Sequence, residues 1–123
     1  MSHITTIKDV LVKDLDALNK AVKRLTSARL EVHEEKPVRL YQKEPVLAVA
    51  QVQLSGWTYP VLVKKNGELA YDNYGGQWGS ISELNKLKQA YGVEKAKQLA
   101  RTQGYTCTER QKQDGTILLE MTR

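Results

Sequence analysis

Asn66-Gly67 sits between two runs that read as β-strands, and this dipeptide accepts positive φ at both central positions of a type I′ turn. The stretch Tyr59–Ser80, YPVLVKKNGELAYDNYGGQWGS, is therefore predicted to double back as an antiparallel hairpin, run into a loop and then open a helix. In the loop, Tyr74 and Trp78 are interleaved with Gly75, Gly76 and Gly79, which let backbone approach closely. Such a loop is either a contact surface or a structural corner with Trp78 packed on the sheet.

The rest of the chain is read around this unit. Residues 3–12 are rich in β-branched types and predict a first strand. Asp14 caps a helix whose apolar stripe is Leu15, Leu18, Val22 and Leu25. Arg29–Glu34 and Val38–Tyr41 predict two short strands, with Pro37 ending the turn between them. Val46–Leu54 is the most hydrophobic strand and is expected near the middle of the sheet. Pro60 lacks an N–H and marks the Trp57–Lys64 strand as an edge or as bulged. Ser80 and Glu83 have capping-box spacing, so a second helix starts at Ile81. Its two apolar stripes are out of phase across Gly92, where a kink or break is expected. Gly104 suits the position just past the helix end, and Tyr105–Gln111 and Thr116–Thr122 form a last hairpin about Asp114-Gly115. This order predicts one α+β domain over 1–123: an antiparallel β-sheet with two helices packed on one face, a two-layer sandwich.

Composition supports a packed domain. With 123 residues, 41% hydrophobic and 27% charged, the chain is long enough to bury a core without staples. No apolar run approaches the ~20 residues that span a bilayer, and MSHITTIKDV does not read as a signal peptide, so no membrane association is expected. The single Cys107 forms no internal disulfide, fits a reducing compartment and is expected as a small sheet or core residue. The net charge of +5 is spread among carboxylates rather than gathered in one run.

The opening MSHITTIK followed by an LxxLxxAV helix, the later NGELAYDNYG and the closing GYTCTERQKQDGTILLEMTR resemble one family over nearly the whole chain. It is the family of the thirty-fifth hypothetical chloroplast reading frame, domain-of-unknown-function family twelve fifty-seven, of cyanobacteria, plastids, other bacteria and phages. The family opens with phenylalanine where this sequence has Ile4, and has tryptophans at Asn73 and Tyr74, which marks a divergent member and suggests a phage gene. The resemblance implies a fold and a habitat, the cytoplasm of a bacterium or phage-infected host or the plastid stroma. It also implies an adaptor that works with an AAA-type ATPase.

The residues carry no reaction signature. His3 and His33 lie on different elements without a second ligand at metal spacing, and no nucleophile, base and orienting group can be assembled, so no enzyme, metal or cofactor is expected. The loop before Ser80 has the composition of an anion-binding nest but neither P-loop lysine nor GxGxxG. The leading reading is a protein-interaction or adaptor module, with Tyr74, Trp78, Trp57 and Tyr71 as partner contacts. The alternative is a single-stranded nucleic-acid binder that uses Lys86, Lys97 and Arg101 on the second helix together with exposed aromatics. A homodimer through a free sheet edge is a further expectation.

Overall fold

Asp14 caps the first helix as its position predicts: its carboxylate accepts from the Ala17 amide at 3.0 Å. Helix α1, Leu15–Lys23, buries Ala17, Leu18, Ala21 and Val22. In the computed structural model, which describes residues 4–41 and 43–123, α1 follows a first strand β1, Thr5–Ile7, much shorter than predicted. His3 lies outside the described residues.

The remaining elements are β2 (Arg29–Val38), β3 (Val46–Gln53), β4 (Val61–Val63), β5 (Leu69–Tyr71), α2 (Ile81–Thr102), β6 (Thr106–Gln111) and β7 (Ile117–Thr122). Five strands form one sheet in the order β1-β5-β4-β3-β2, every pair antiparallel. The α+β architecture with both helices on one face is therefore present, with two rearrangements. The Asn66-Gly67 hairpin, β4 and β5, lies at the centre, and all six of its strand residues are buried. Strand β3 lies one place further out. Pro60 falls just before β4, so its missing N–H removes no ladder bond.

The turn also differs in type. Lys65, Asn66 and Gly67 form a three-residue loop in which only Gly67 has positive φ (92°), and the Gly67 amide bonds the Lys64 carbonyl at 2.9 Å. Asn66 Oδ1 accepts from the Glu68 amide at 3.0 Å. The β6–β7 hairpin repeats the device: Gly115 has φ 88°, and Asp114 Oδ1 accepts from the Thr116 amide at 2.9 Å. One asparagine or aspartate holds the turn while one glycine takes the left-handed position.

Arg29–Val38 is one strand, not the predicted hairpin. Between Val32 and Lys36 it takes four steps while β3 takes two, from Ala50 to Ala48. The bulge at His33–Glu35 breaks the alternation, and this break mimics a turn in the sequence. Pro37 is tolerated because β2 is an edge.

Two apolar clusters follow from the alternation. Val61, Val63, Leu69 and Tyr71 face the helices with Ala50, Val52 and Leu54, against Leu18, Leu84, Leu87 and Tyr91. The alternate residues Leu62 and Ala70 face the other way and meet Leu40, Ala48 and Tyr59. Leu40 is buried because the segment after β2 folds across this outer face.

Helix α2 runs unbroken for 22 residues, about 33 Å, through Gly92. The expected kink is absent because Tyr91, Val93 and Glu94 are all buried at that turn, and this packing outweighs the roughly 1 kcal/mol that a helical glycine costs. The capping box is only partly made. Ser80 Oγ accepts from the Ser82 amide at 3.2 Å, and Glu83 pairs with Lys86 instead of reaching back. The last two strands do not join the main sheet: β6 and β7 form a separate two-stranded sheet against the helices.

Two carboxylates tie this framework together. The Ala17 amide, with help from Gln98 and Lys95, holds Asp14 well below the usual carboxylate range, at about 2. Hydrogen bonds from Arg24 and then Lys97 lower Glu109 to about 2. Both folded-state values lie below the unfolded ones, so their contribution is complete above about pH 5 and is lost as the pH falls toward 2. Each is worth on the order of 1–2 kcal/mol once solvent screening is allowed for. Urea midpoints should hold from pH 7 to 5 and drop steeply by pH 3; an unchanged midpoint at pH 3 would show that neither pair stabilises the fold.

Candidate partner-binding surface

The segment from Tyr71 to Ser80 closes on itself. Asp72, only 1% exposed, accepts from the Tyr74 amide through Oδ1 at 3.1 Å. The Asn73 carbonyl accepts from the amides of Gly76 at 3.0 Å and Trp78 at 2.9 Å, and the Tyr74 carbonyl accepts from Gln77 at 3.1 Å. Asn73 Nδ2 then donates to the Gly79 carbonyl at 3.2 Å. Tyr74, Gly75 and Gly76 are left-handed in succession, with φ of 48°, 61° and 102°. The loop has the composition of an anion nest but does not offer its amides to one. The amides of Tyr74, Gly76, Gln77 and Trp78 are engaged within the loop.

Trp57 and Tyr71, predicted as partner contacts, are core residues, 6% and 8% exposed. Their rings meet edge to face at 5.6 Å, and Trp57 Nε1 donates to the Ser80 carbonyl at 3.0 Å. Trp57 thus takes a structural-corner role of the kind the sequence offers for Trp78 as one of two alternatives. It lies on the segment leading to β4, so its indole packs under the loop and against the helix-facing cluster.

Trp78 and Tyr74 remain at the surface and are joined by Tyr41 and Tyr59, which no local pattern in the sequence links to the loop. Tyr74, Tyr59 and Tyr41 stand around the Trp78 indole at centroid distances of 4.7, 5.3 and 5.4 Å, all edge to face. Tyr41 and Tyr59 also approach each other, at 6.3 Å. Half of the eight tyrosines and tryptophans are gathered in this quartet. It sits over the outer cluster on the sheet face away from the helices, because Tyr59 packs there with Leu40 and Leu62. Tyr41 is 50% exposed, while Tyr59, Tyr74 and Trp78 are half-buried.

Two of these rings are carried on backbone that tyrosine rarely adopts. Tyr41 has φ 49° and Tyr74 has φ 48°, each costing on the order of 1 kcal/mol relative to glycine. Arg39 holds the first of these turns by donating to the Lys43 carbonyl at 3.2 Å. No family model, no curated protein and no solved structure matches the chain.

The cations proposed for nucleic acid are placed elsewhere and are mostly engaged. Lys86 pairs with Glu83 at 3.0 Å and Lys97 with Glu109 at 2.9 Å, whereas Arg101 is exposed and donates to the Lys97 carbonyl at 3.4 Å. Lys95, on the same helix, pairs with Asp14 at 3.2 Å. These side chains belong to the helix layer, on the other side of the sheet from the quartet. A strand stacked on the quartet could not use them as phosphate contacts.

Other singled-out residues are framework. His33 lies in the β2 bulge, with Nδ1 at 2.8 Å from the Glu34 carbonyl and Nε2 at 3.1 Å from Gln51 Nε2. Cys107 is half-buried on β6 rather than in the core. Among the described residues, no three His, Cys, Asp or Glu side chains converge as a metal set, and no helix is long and apolar enough to cross a membrane.

Proposed function

We propose that this chain is a non-enzymatic protein-interaction module whose contact surface is the aromatic quartet Tyr41, Tyr59, Tyr74 and Trp78. The observation that carries this reading is the backbone under it. Two tyrosines held in the left-handed region flank a half-exposed tryptophan, a local cost taken at the surface, above the outer cluster rather than within it. Tyrosine and tryptophan supply large contact area with few rotors to freeze, which is why they dominate interface hot spots. The edge-to-face packing favours a protein partner over nucleic acid, since stacked bases need open ring faces. The resemblance adds the cytoplasm or plastid stroma as the setting and an AAA-type ATPase as the first partner to test. A homodimer through β2 is disfavoured by the bulge and Pro37, both of which spoil an edge for pairing.

Affinity capture of the tagged chain from a cyanobacterial lysate, with and without nuclease, tests the class of partner. One stoichiometric protein that survives nuclease supports the module. Recovery of nucleic acid, with affinity falling steeply between 50 and 200 mM salt as counterions are released, would overturn it.

A further inference from the structure

The C-terminal hairpin, β6 and β7, has none of the features that make the rest of the fold cooperative. None of its residues is buried, and it shares no ladder with the five-stranded sheet. A two-stranded hairpin is marginal in water by itself. Between it and the helices lies a gap of about 290 Å³, lined by Arg24, Leu25, Gln89, Ala90, Gly115 and Ile117.

Polar contacts span the gap in place of packing. Glu109 receives the Arg24 guanidinium in a fork, Nη1 and Nη2 each at 2.8 Å, and Lys97 Nζ at 2.9 Å. Arg24 comes from the end of α1 and Lys97 from α2, so this one carboxylate on β6 holds both helices. Gln89 Nε2 adds a bond to the Gly115 carbonyl at 3.3 Å. Arg24 also keeps its bond to Glu94 at 2.9 Å, and that bond does not depend on the hairpin. At the base of the hairpin, Gln103 closes α2 and Gly104 takes φ 82°, a short joint in a conformation glycine adopts freely.

We propose that β6–β7 is a detachable arm, clasped to the helix pair by Glu109, which undocks as a unit about Gln103-Gly104 while the two helices and the five-stranded sheet stay folded. Local opening of this kind is expected where apolar contact is thin and the bonds that hold an element are ionic. The clasp is partly exposed, so it weakens as the Debye length shrinks to about 3 Å in 1 M salt. The arm is thus released by ionic strength, on the side of the molecule away from the quartet. This inference stands apart from the partner-binding role and would survive its failure.

Hydrogen exchange of the intact chain, read by mass spectrometry in 0.05 and 1 M NaCl, tests it. The amides of Thr106–Gln111 and Ile117–Thr122 are expected to exchange at least tenfold faster in high salt, with β3, β4 and β5 unchanged. Glu109→Gln should reproduce the fast exchange at low salt and abolish the salt effect, and Cys107 should react with a thiol reagent about tenfold faster. Thr108→Ala, on the outer side of the same strand, should change nothing. Hairpin amides that exchange with the core strands at every salt concentration would overturn the proposal, and this wild-type result decides even if Glu109→Gln does not fold.

Discussion

Gly79→Ala should lower stability by about 3 kcal/mol, roughly 10 °C in Tm for a domain of this size. The reason is a single contact. A Cβ at residue 79 would lie 2.6 Å from Trp57 Cγ and closer still to Cδ2 and Cε2. The indole has nowhere to go, because its Nε1 is fixed on the Ser80 carbonyl and its ring packs on Tyr71 inside the core. The backbone at Gly79 is not left-handed, so strain plays no part and steric overlap sets the whole cost. Gly76→Ala separates the two effects: its Cβ meets open space, and φ of 102° leaves only the conformational penalty of about 1–2 kcal/mol. Equal losses at both positions, measured by urea unfolding, would show that the indole does not lie against the loop.

Arg24→Met is the second large effect, at about 3–4 kcal/mol. Glu94 is only 7% exposed, and Arg24 donates to it at 2.9 Å. Arg24 is itself partly exposed, but removing it leaves the buried Glu94 carboxylate without its cation, which costs more than the pair contributed. The bonds to Glu109, and then to Glu94, push the Arg24 guanidinium up, further from any neutral form. Because part of the penalty belongs to the orphaned Glu94 carboxylate, Arg24→Met with Glu94→Leu should recover about half of the loss, the rest being the fork to Glu109 that the second substitution does not restore. If the double variant is as unstable as the single one, the damage comes from lost packing or from the hairpin rather than from a stranded charge.

The elements that repeat regularly were legible, and the exceptions have physical causes. The Asp14 cap, Leu18 and Val22 of the α1 stripe, and the Asn66-Gly67 and Asp114-Gly115 hairpins follow from local chemistry and are present, whereas Leu25 of that stripe lies past the helix end. The β2 strand reads as two because its bulge breaks alternation as a turn does, and Pro37 lies close to the break. Gly92 suggests a kink by its own propensity, which does not register the buried Tyr91 and Val93 beside it. The site divided along the same line. Tyr74 and Trp78 were found through their glycine-rich loop, but nothing local distinguishes Trp57 from Trp78; the Gly79 contact that buries one indole is tertiary. Tyr41 and Tyr59 join the quartet only because the segment after β2 crosses the outer face, and Leu40, fully buried between charged and polar neighbours, is the residue that signals it. The lysines of α2 read as a basic helix because Glu109 and Asp14, far away in sequence, are brought to them only by the fold.

The most direct test of the interaction surface is the variant Tyr41→Gly with Tyr74→Gly, for which thermal unfolding and partner capture are measured on the same preparation. Glycine accepts φ near 48° without strain, so the relief of about 1 kcal/mol at each position offsets the lost ring contacts with Trp78. The expected result is a Tm within about 4 °C of wild type together with loss of the captured protein. A variant that melts far below wild type, or that keeps its partner, would contradict the assignment and return these tyrosines to a purely structural role.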